Sequence, residues 1–434
     1  MKFITQLVEN SLVLLFIFCA GSCSPPKVSQ ANPFVNSAHL QHLYREITIG
    51  AARLGVVWIY CEAPDYHLVD DSDEGFTCVD DVARALVFYC RQYAASPTPE
   101  TLDKIRAMTE FLLFMRSNNG FFYNFLLPGN TINTTHQNSR AEPGWWSWRA
   151  FWALSEVNLL QEGQLKDLQL RTKPILAELV QKMQELCIPG KDMVQFDGVA
   201  VPACLADLGA DQVGVMMLGL VNDYQVYPSE AIKQLLRNFG NLLLKVQYGD
   251  AQTWPHSAIM SWRNEWHAWG NSQAYALLKA GQLLQNENFI RAGIEEVRNF
   301  YPYCMNEGFI NGFKVIKDST GLDSSDFRRF PQIAYNVRPM VLASLEAFSI
   351  TGDSTFAATA GRLATWFFGN NPAHQRMYDP VTGRTFDGIG SGEQVNMNSG
   401  AESTIEALLS LQAISTTPEA QQVLNTFLQN NPIH

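Results

Sequence analysis

From about His39 onward the chain alternates between two kinds of apolar segment. Segments beginning near Asp80, Pro143, Asp211, Trp266, Pro331 and Gly400 are apolar nearly all round, Val213-Gly-Val-Met-Met-Leu-Gly-Leu-Val221 being the extreme. A helix without a polar face is buried on every side. Segments beginning near Pro99, Lys166, Pro228 and Glu287 carry a charged face and an apolar stripe, the pattern of a covering layer. Thr98-Pro99-Glu100 and Pro228-Ser229-Glu230 add helix-start chemistry to two of these. The pattern also predicts a first helix within residues 40–63 and a short tail helix over 424–429. Pro339, inside the fifth all-apolar segment, predicts a kink or a later start there.

Loop lengths turn this series into an architecture. Connections from covering to buried helices are long: 62–79, 118–142, 187–210, 249–265, 302–330 and 370–399. Connections from buried to covering helices are short: 95–98, 161–164, 225–227 and 352–354. In antiparallel hairpins that parity places all the long loops on one face, at the N-termini of the buried helices. The period of about 60 residues exceeds that of the common solenoids. An open superhelix would leave the all-apolar helices exposed, whereas a closed ring of six hairpins hides them. The expected fold is all-α, one (α/α)6 barrel over residues 39–434 with a loop-built cleft at one end.

The N-terminus reads differently. Lys2, a short apolar run and Ala20-Gly21-Ser22-Cys23 resemble a bacterial lipoprotein signal peptide over residues 1–22. Cys23 is then the lipidated residue and 23–38 a flexible tether, which implies an exported lipoprotein of the periplasm or cell envelope, anchored to the outer membrane. The alternative is an ordinary secretory signal cut at Ser22. The net charge of −11 excludes nucleic acid and anionic lipid surfaces as natural partners. No Cys-x-x-Cys pair or zinc-ligand spacing occurs, so neither a metal nor a cofactor is expected, and the protein reads as a monomer. Cys61 with Cys78, or Cys187 with Cys204, would each close a modest loop if oxidised.

Specific motifs then add a family likeness. The segment from Phe76 to Leu86 contains Asp80-Asp81-Val-Ala-Arg-Ala-Leu, and Tyr378 to Gly383 with Asp387-Gly388 is followed by Asn398 to Thr404. Together with Phe368-Gly369-Asn370-Asn371-Pro372, these stretches resemble the six-hairpin glycosidase-like superfamily and its bacterial carbohydrate-enzyme domains. The chain departs from them at Val82, where those domains have Asn, and the middle loops match poorly. The resemblance implies the barrel fold and a glycan ligand more than any one reaction.

Acids gather at the starts of the buried helices: Asp80 and Asp81, Glu142, Asp207 and Asp211, Glu265, Asp323 and Asp326, and Glu402. Glycoside hydrolysis needs a carboxylic acid for the leaving oxygen and a second carboxylate as base or nucleophile. Asp80 and Asp81, Glu142, Glu265 and Glu402 are the catalytic candidates. Neighbours on a helix diverge, so one of the two aspartates is expected to work and the other to cap. Glu265 or Glu142 is expected as the acid, with Asp81 or Glu402 as base. An inverting mechanism would set the carboxyls about 6.5–9.5 Å apart. Aromatic content of 12% with 10 Trp suits sugar faces, and Trp145, Trp146, Trp254, Trp262, Trp266, His267 and Asn398 are the expected substrate contacts. Trp148 and Trp152, one turn apart, read as core. His256 and His267 keep a lyase or a sugar epimerase open as alternatives, and a non-catalytic glycan-binding lipoprotein is the third.

Overall fold

The computed structural model describes residues 34–161, 163–187 and 192–431. The expected signal peptide and Cys23 lie outside the described residues. Six inner helices form a closed ring: Val79–Ala95, Trp145–Leu159, Ala210–Val226, Gln273–Leu284, Ala334–Thr351 and Ala401–Ser415. Each packs on the next, and the last packs on the first. Outer helices Pro99–Phe114, Lys166–Leu186, Glu230–Leu244, Glu287–Glu295, Ser354–Ala364 and Pro418–Asn430 each return along their inner partner. This is the (α/α)6 barrel that the alternation of apolar and amphipathic segments predicts.

Local chemistry explains the elements. Thr98 and Ser229 cap their helices, accepting from Thr101 N and Ile232 N. Helix Glu230–Leu244 buries Ile232, Leu235, Leu236, Phe239 and Leu243 and leaves its charged face outward. Inner helices approach closely where side chains are small. A Cβ on Gly219 would lie 2.4 Å from the Phe151 ring, so glycine is what lets the third inner helix sit against the second.

Several expectations are corrected. Residues 40–63 are not one helix. A short helix, Ala38–Leu43, is followed by the antiparallel strands Tyr44–Ile49 and Ala52–Val57, because the β-branched run Ile47-Thr48-Ile49 meets a left-handed Gly50. The sixth outer helix is instead the tail, which begins at Pro418 rather than 424. The fourth inner helix begins at Gln273, not Trp266. Residues Glu265–His267 form an edge strand of a three-stranded sheet with Gly312–Asp318 and Gly321–Arg328. The fifth inner helix starts late, at Ala334, and runs on through Pro339. Residues 34–38, expected within the tether, are instead part of the packed domain: Phe34 is buried, and Asn36 is hydrogen-bonded to Tyr378, Pro380 and Val381. Of the two cysteine pairings, Cys187–Cys204 is formed, with Cα atoms 5.5 Å apart, and Cys61 and Cys78 are free and buried.

The fourth outer helix passes through a π turn at Glu296–Phe300, just before Pro302, which has no N–H to continue the α register. The turn places Glu296 fully inside the protein, where Oε1 accepts from Ile259 N at 2.9 Å. Burial pushes this carboxyl up to about 8, against the opposing effect of the Ile259 hydrogen bond. A carboxyl whose folded-state pKa is raised favours folding at low pH. That contribution is lost as pH rises from the ordinary glutamate range through about 8. Glu296→Gln cannot ionise, so its stability relative to wild type is expected to rise by more than about 1 kcal/mol between pH 5 and pH 9. Denaturant unfolding at the two pH values measures this; a difference that does not change with pH refutes it.

Candidate active site

The long-loop face holds a cleft of about 610 Å³ over the N-terminal turns of the first, second, fifth and sixth inner helices. Its floor is made by helix spacing. Asp80, Asp81 and Arg84 lie within one turn, Tyr335 and Arg338 are three apart, and Glu402 and Glu406 four apart, so each helix offers two groups from one face. Cys78 starts the first inner helix: its Sγ accepts from Asp81 N at 3.4 Å, and its S–H donates to Asp81 Oδ2 at 3.2 Å. Neither aspartate caps the helix, so both side chains are free for other partners.

Arg84, 1% exposed, is the hub. Its Nη2 donates to Asp81 Oδ1 at 2.6 Å, and its Nη1 lies 3.0 Å from both Glu402 Oε2 and Glu406 Oε1. Asp80 Oδ2 is 3.7 Å from the same guanidinium and is bonded directly by Arg149. Arg149 also donates to the Tyr335 hydroxyl at 2.7 Å, and Arg338 bonds Glu406. The Tyr335 ring sits among all three guanidiniums, each 5.1–5.2 Å from its centroid. Four carboxylates thus share three arginines. Burial pushes Asp81 up to about 6; Arg84 opposes that shift, and repulsion from Asp80 and Glu402 adds to it. Behind the site Asp387 Oδ1 accepts from Gly400 N and from the Ser403 hydroxyl, both at 2.8 Å, and so fixes the start of the helix that carries Glu402.

Exposure separates the acids. The Glu402 side chain is 43% exposed and Asp80 21%, whereas Asp81 is 4% exposed and faces Arg84 and Cys78. Trp145, Trp146 and Trp269 form the walls with Phe125 and Ile333, and Asn124 and Asn138 supply amides. Trp146 is held edge-on by its Nε1, which donates to the carbonyls of Phe122 and Arg140.

The structure brings Asp80, Asp81, Glu402, Trp145 and Trp146 together and moves the other candidates elsewhere. Glu265 is on the edge strand, paired with Arg328, and does not line the cleft. Glu142 is exposed on the loop outside it. Trp266 is fully buried between Phe300 and Phe313, because its strand turns it into the core. Trp254 packs with His256, Tyr303 and Phe313, away from the cleft. Trp262 is 39% exposed under Arg263, with Nε1 donating to Ala206 O. Asn398 ties down the chain at Ala63 N. His267 is buried behind Trp269 and does not reach the cleft. Trp148 and Trp152 are core, as their spacing predicts.

Arg149, Tyr335, Arg338, Glu406 and Trp269 were not among the sequence candidates. Glu406 repeats Glu402 one turn on, and Arg149 follows Trp145 by four, so helical spacing carried a signal for both. Arg338 and Tyr335 lie in a segment whose register was obscured by its late start.

No protein-family model matches the chain, and no curated protein matches its sequence. Solved structures share its fold. A cellobiose 2-epimerase from Bacillus thermoamylovorans B4167 matches with a TM-score of 0.57 at 11% identity, over 83% of this chain and 92% of the other. A D-mannose isomerase matches at 0.55 and 13% identity, over 87% and 93%. An inactive variant of an α-1,6-mannanase of Salegentibacter sp., with two consecutive aspartates replaced and α-1,6-mannotetrose bound, matches at 0.51 and 10% identity, over 82% and 95%. The likeness is one of fold: the chain has the (α/α)6 barrel that its sequence pattern implies.

Arg84→Met would leave Asp81 buried without its guanidinium and Glu406 with Arg338 alone. Stranding a buried charge costs roughly 3–5 kcal/mol, and a loss of that size is expected in denaturant unfolding. A loss under about 1 kcal/mol would show that Arg149 and Arg338 suffice for all four acids.

Proposed function

We propose that the protein is a glycoside hydrolase working through Asp80 and Glu402. The observation that carries this reading is that these two carboxyls, from adjacent inner helices, are the acids exposed on the floor of a tryptophan-walled cleft. Among the described residues Arg149 pairs with no acid but Asp80 and orients its carboxylate, which is assigned the proton of the attacking water. Glu402 shares Arg84 with Asp81 and Glu406, so it is assigned the proton that passes to the leaving glycosidic oxygen. Water adds its oxygen to the anomeric carbon as that carbon's bond to the leaving sugar breaks. Asp81 stands behind the pair as a positioning residue.

The mannanase with two consecutive aspartates replaced is inactive and holds an oligosaccharide; the Asp80-Asp81 pair at this cleft invites the same reading. The epimerase and isomerase matches keep a second reading in view, a sugar epimerase, for which neutral histidine would be a suitable base. Against it, no histidine lines the cleft among the described residues.

Asp80→Asn and Glu402→Gln are each expected to lower kcat/KM about 10²–10⁴-fold on a glycan that the wild type cleaves, measured by release of reducing ends. A product absorbing in the ultraviolet through a new double bond would make the protein a lyase. An epimerised product of unchanged length would make it an epimerase. Binding without turnover, unaltered by either variant, would leave a glycan-binding protein. Export with a lipid on Cys23 belongs to the same proposal, supported by the residues around Cys23. Labelled fatty acid should be incorporated in bacterial cells and lost in Cys23→Ala; labelling that persists in the variant excludes Cys23.

A further inference from the structure

Trp269 is a large apolar side chain left 37% exposed at the cleft, on a loop fixed from several sides. The Ser261 hydroxyl donates to His267 O and accepts from His267 N and Asn271 Nδ2. Ala268 N donates to Asn311 O. Gly270 turns left-handed (φ +70°) where a Cβ would lie 3.0 Å from the Tyr335 hydroxyl and 3.1 Å from the Trp145 ring. Only a residue without a side chain lets the loop pass this close to Tyr335 and Trp145.

One face of the Trp269 indole is covered by the His267 imidazole, with centroids 3.9 Å apart and planes within 10°. The imidazole is itself clamped. Nε2 lies 3.1 Å from Asp211 Oδ2, on the third inner helix, and Nδ1 lies 2.8 Å from Trp269 O. With a partner at each nitrogen, the imidazole can neither rotate nor flip without breaking one of these contacts. Trp145 packs beside Trp269 in a tilted contact, with centroids 5.8 Å apart and planes at 50°. One face of Trp269 is therefore taken from behind, and the exposure belongs to the cleft side.

We propose that Trp269 is the platform on which a pyranose ring stacks, its plane set from behind by the buried Asp211–His267 pair. The C–H-bearing face of a pyranose presents positive edges to the negative face of an indole, and a platform already fixed loses no side-chain freedom on binding. Asp211 and His267 are positioning residues: they act through Trp269 and touch no substrate. The proposal rests on the reading of the cleft as a glycan site, though not on hydrolysis.

The test is a double-mutant cycle on the full-length protein, using the glycan that the wild type cleaves or, failing cleavage, the one it binds by calorimetry. Trp269→Ala should raise KM about three- to tenfold with kcat little changed, since stacking holds ground state and transition state alike. Trp269→Phe should recover part of that loss. His267→Ala should move KM in the same direction, and the double variant should lose no more than Trp269→Ala alone. Full additivity of the two losses overturns the positioning role. KM within twofold of wild type in both Trp269 variants overturns the platform, and because Trp269 is a cleft side chain this arm does not depend on His267→Ala folding. Binding that weakens in Trp269→Ala without any hydrolysis keeps the platform and removes the hydrolase. No glycan bound by wild type at millimolar concentration removes both.

Discussion

The Arg84 guanidinium is the joint on which the site depends. It belongs to the first inner helix and grips Glu402 and Glu406 of the sixth, so it spans the seam where the ring of helices closes. Apolar packing could close a ring at many rotations of one helix about its axis. A buried guanidinium cannot, because each of its N–H groups needs an acceptor in a fixed direction. Ion pairs taken out of water are not in themselves a large source of stability, since desolvation opposes the Coulomb attraction. Their effect here is register: the pairing sets which faces of the first and sixth helices meet, and so which carboxyls reach the cleft.

The same logic continues along the barrel axis. Tyr335 sits among Arg84, Arg149 and Arg338, and the Trp152 ring lies 5.7 Å from both Arg338 and Arg91. Trp152 Nε1 and Arg91 both donate to Glu156, so each buried charge has a ring or an opposite charge beside it. Arginines, aromatics and acids are therefore packed together between the inner helices, alongside the aliphatic core. Arginine suits that setting because its flat, weakly hydrated head stacks on rings while its edge bonds carboxylates. An imbalance remains at the cleft end, where four acids meet three guanidiniums. The raised carboxyl of Asp81 is its clearest sign.

Much of the fold was legible because it rests on periodicity. The all-apolar segments had to be surrounded, the amphipathic ones had to cover them, and loop parity put the cleft at the N-termini of the inner helices. The misreadings fell where apolar content was taken without its period. Residues 44–57 and 265–267 are rich in apolar side chains, but they pair as strands, and that turned Trp266 inward and kept Glu265 from the cleft. Asp80, Asp81, Glu402, Trp145 and Trp146 were found because they stand at helix starts, a position that sequence marks.

The sequence alone determined the closed ring of hairpins, the face that carries the cleft and the acids at its rim, since all three follow from local pattern. Only the tertiary structure decided which acid meets which arginine. Arg84 and Glu402 are 318 residues apart, Arg149 and Tyr335 186 apart, and no local spacing relates them. The roles of Asp80 and Asp81 were decided in the same way. Arg149, brought from the second inner helix by the closed ring, takes Asp80, whereas Asp81 is held by Cys78 and by Arg84 of its own helix, a guanidinium that Glu402 and Glu406 anchor from across the seam.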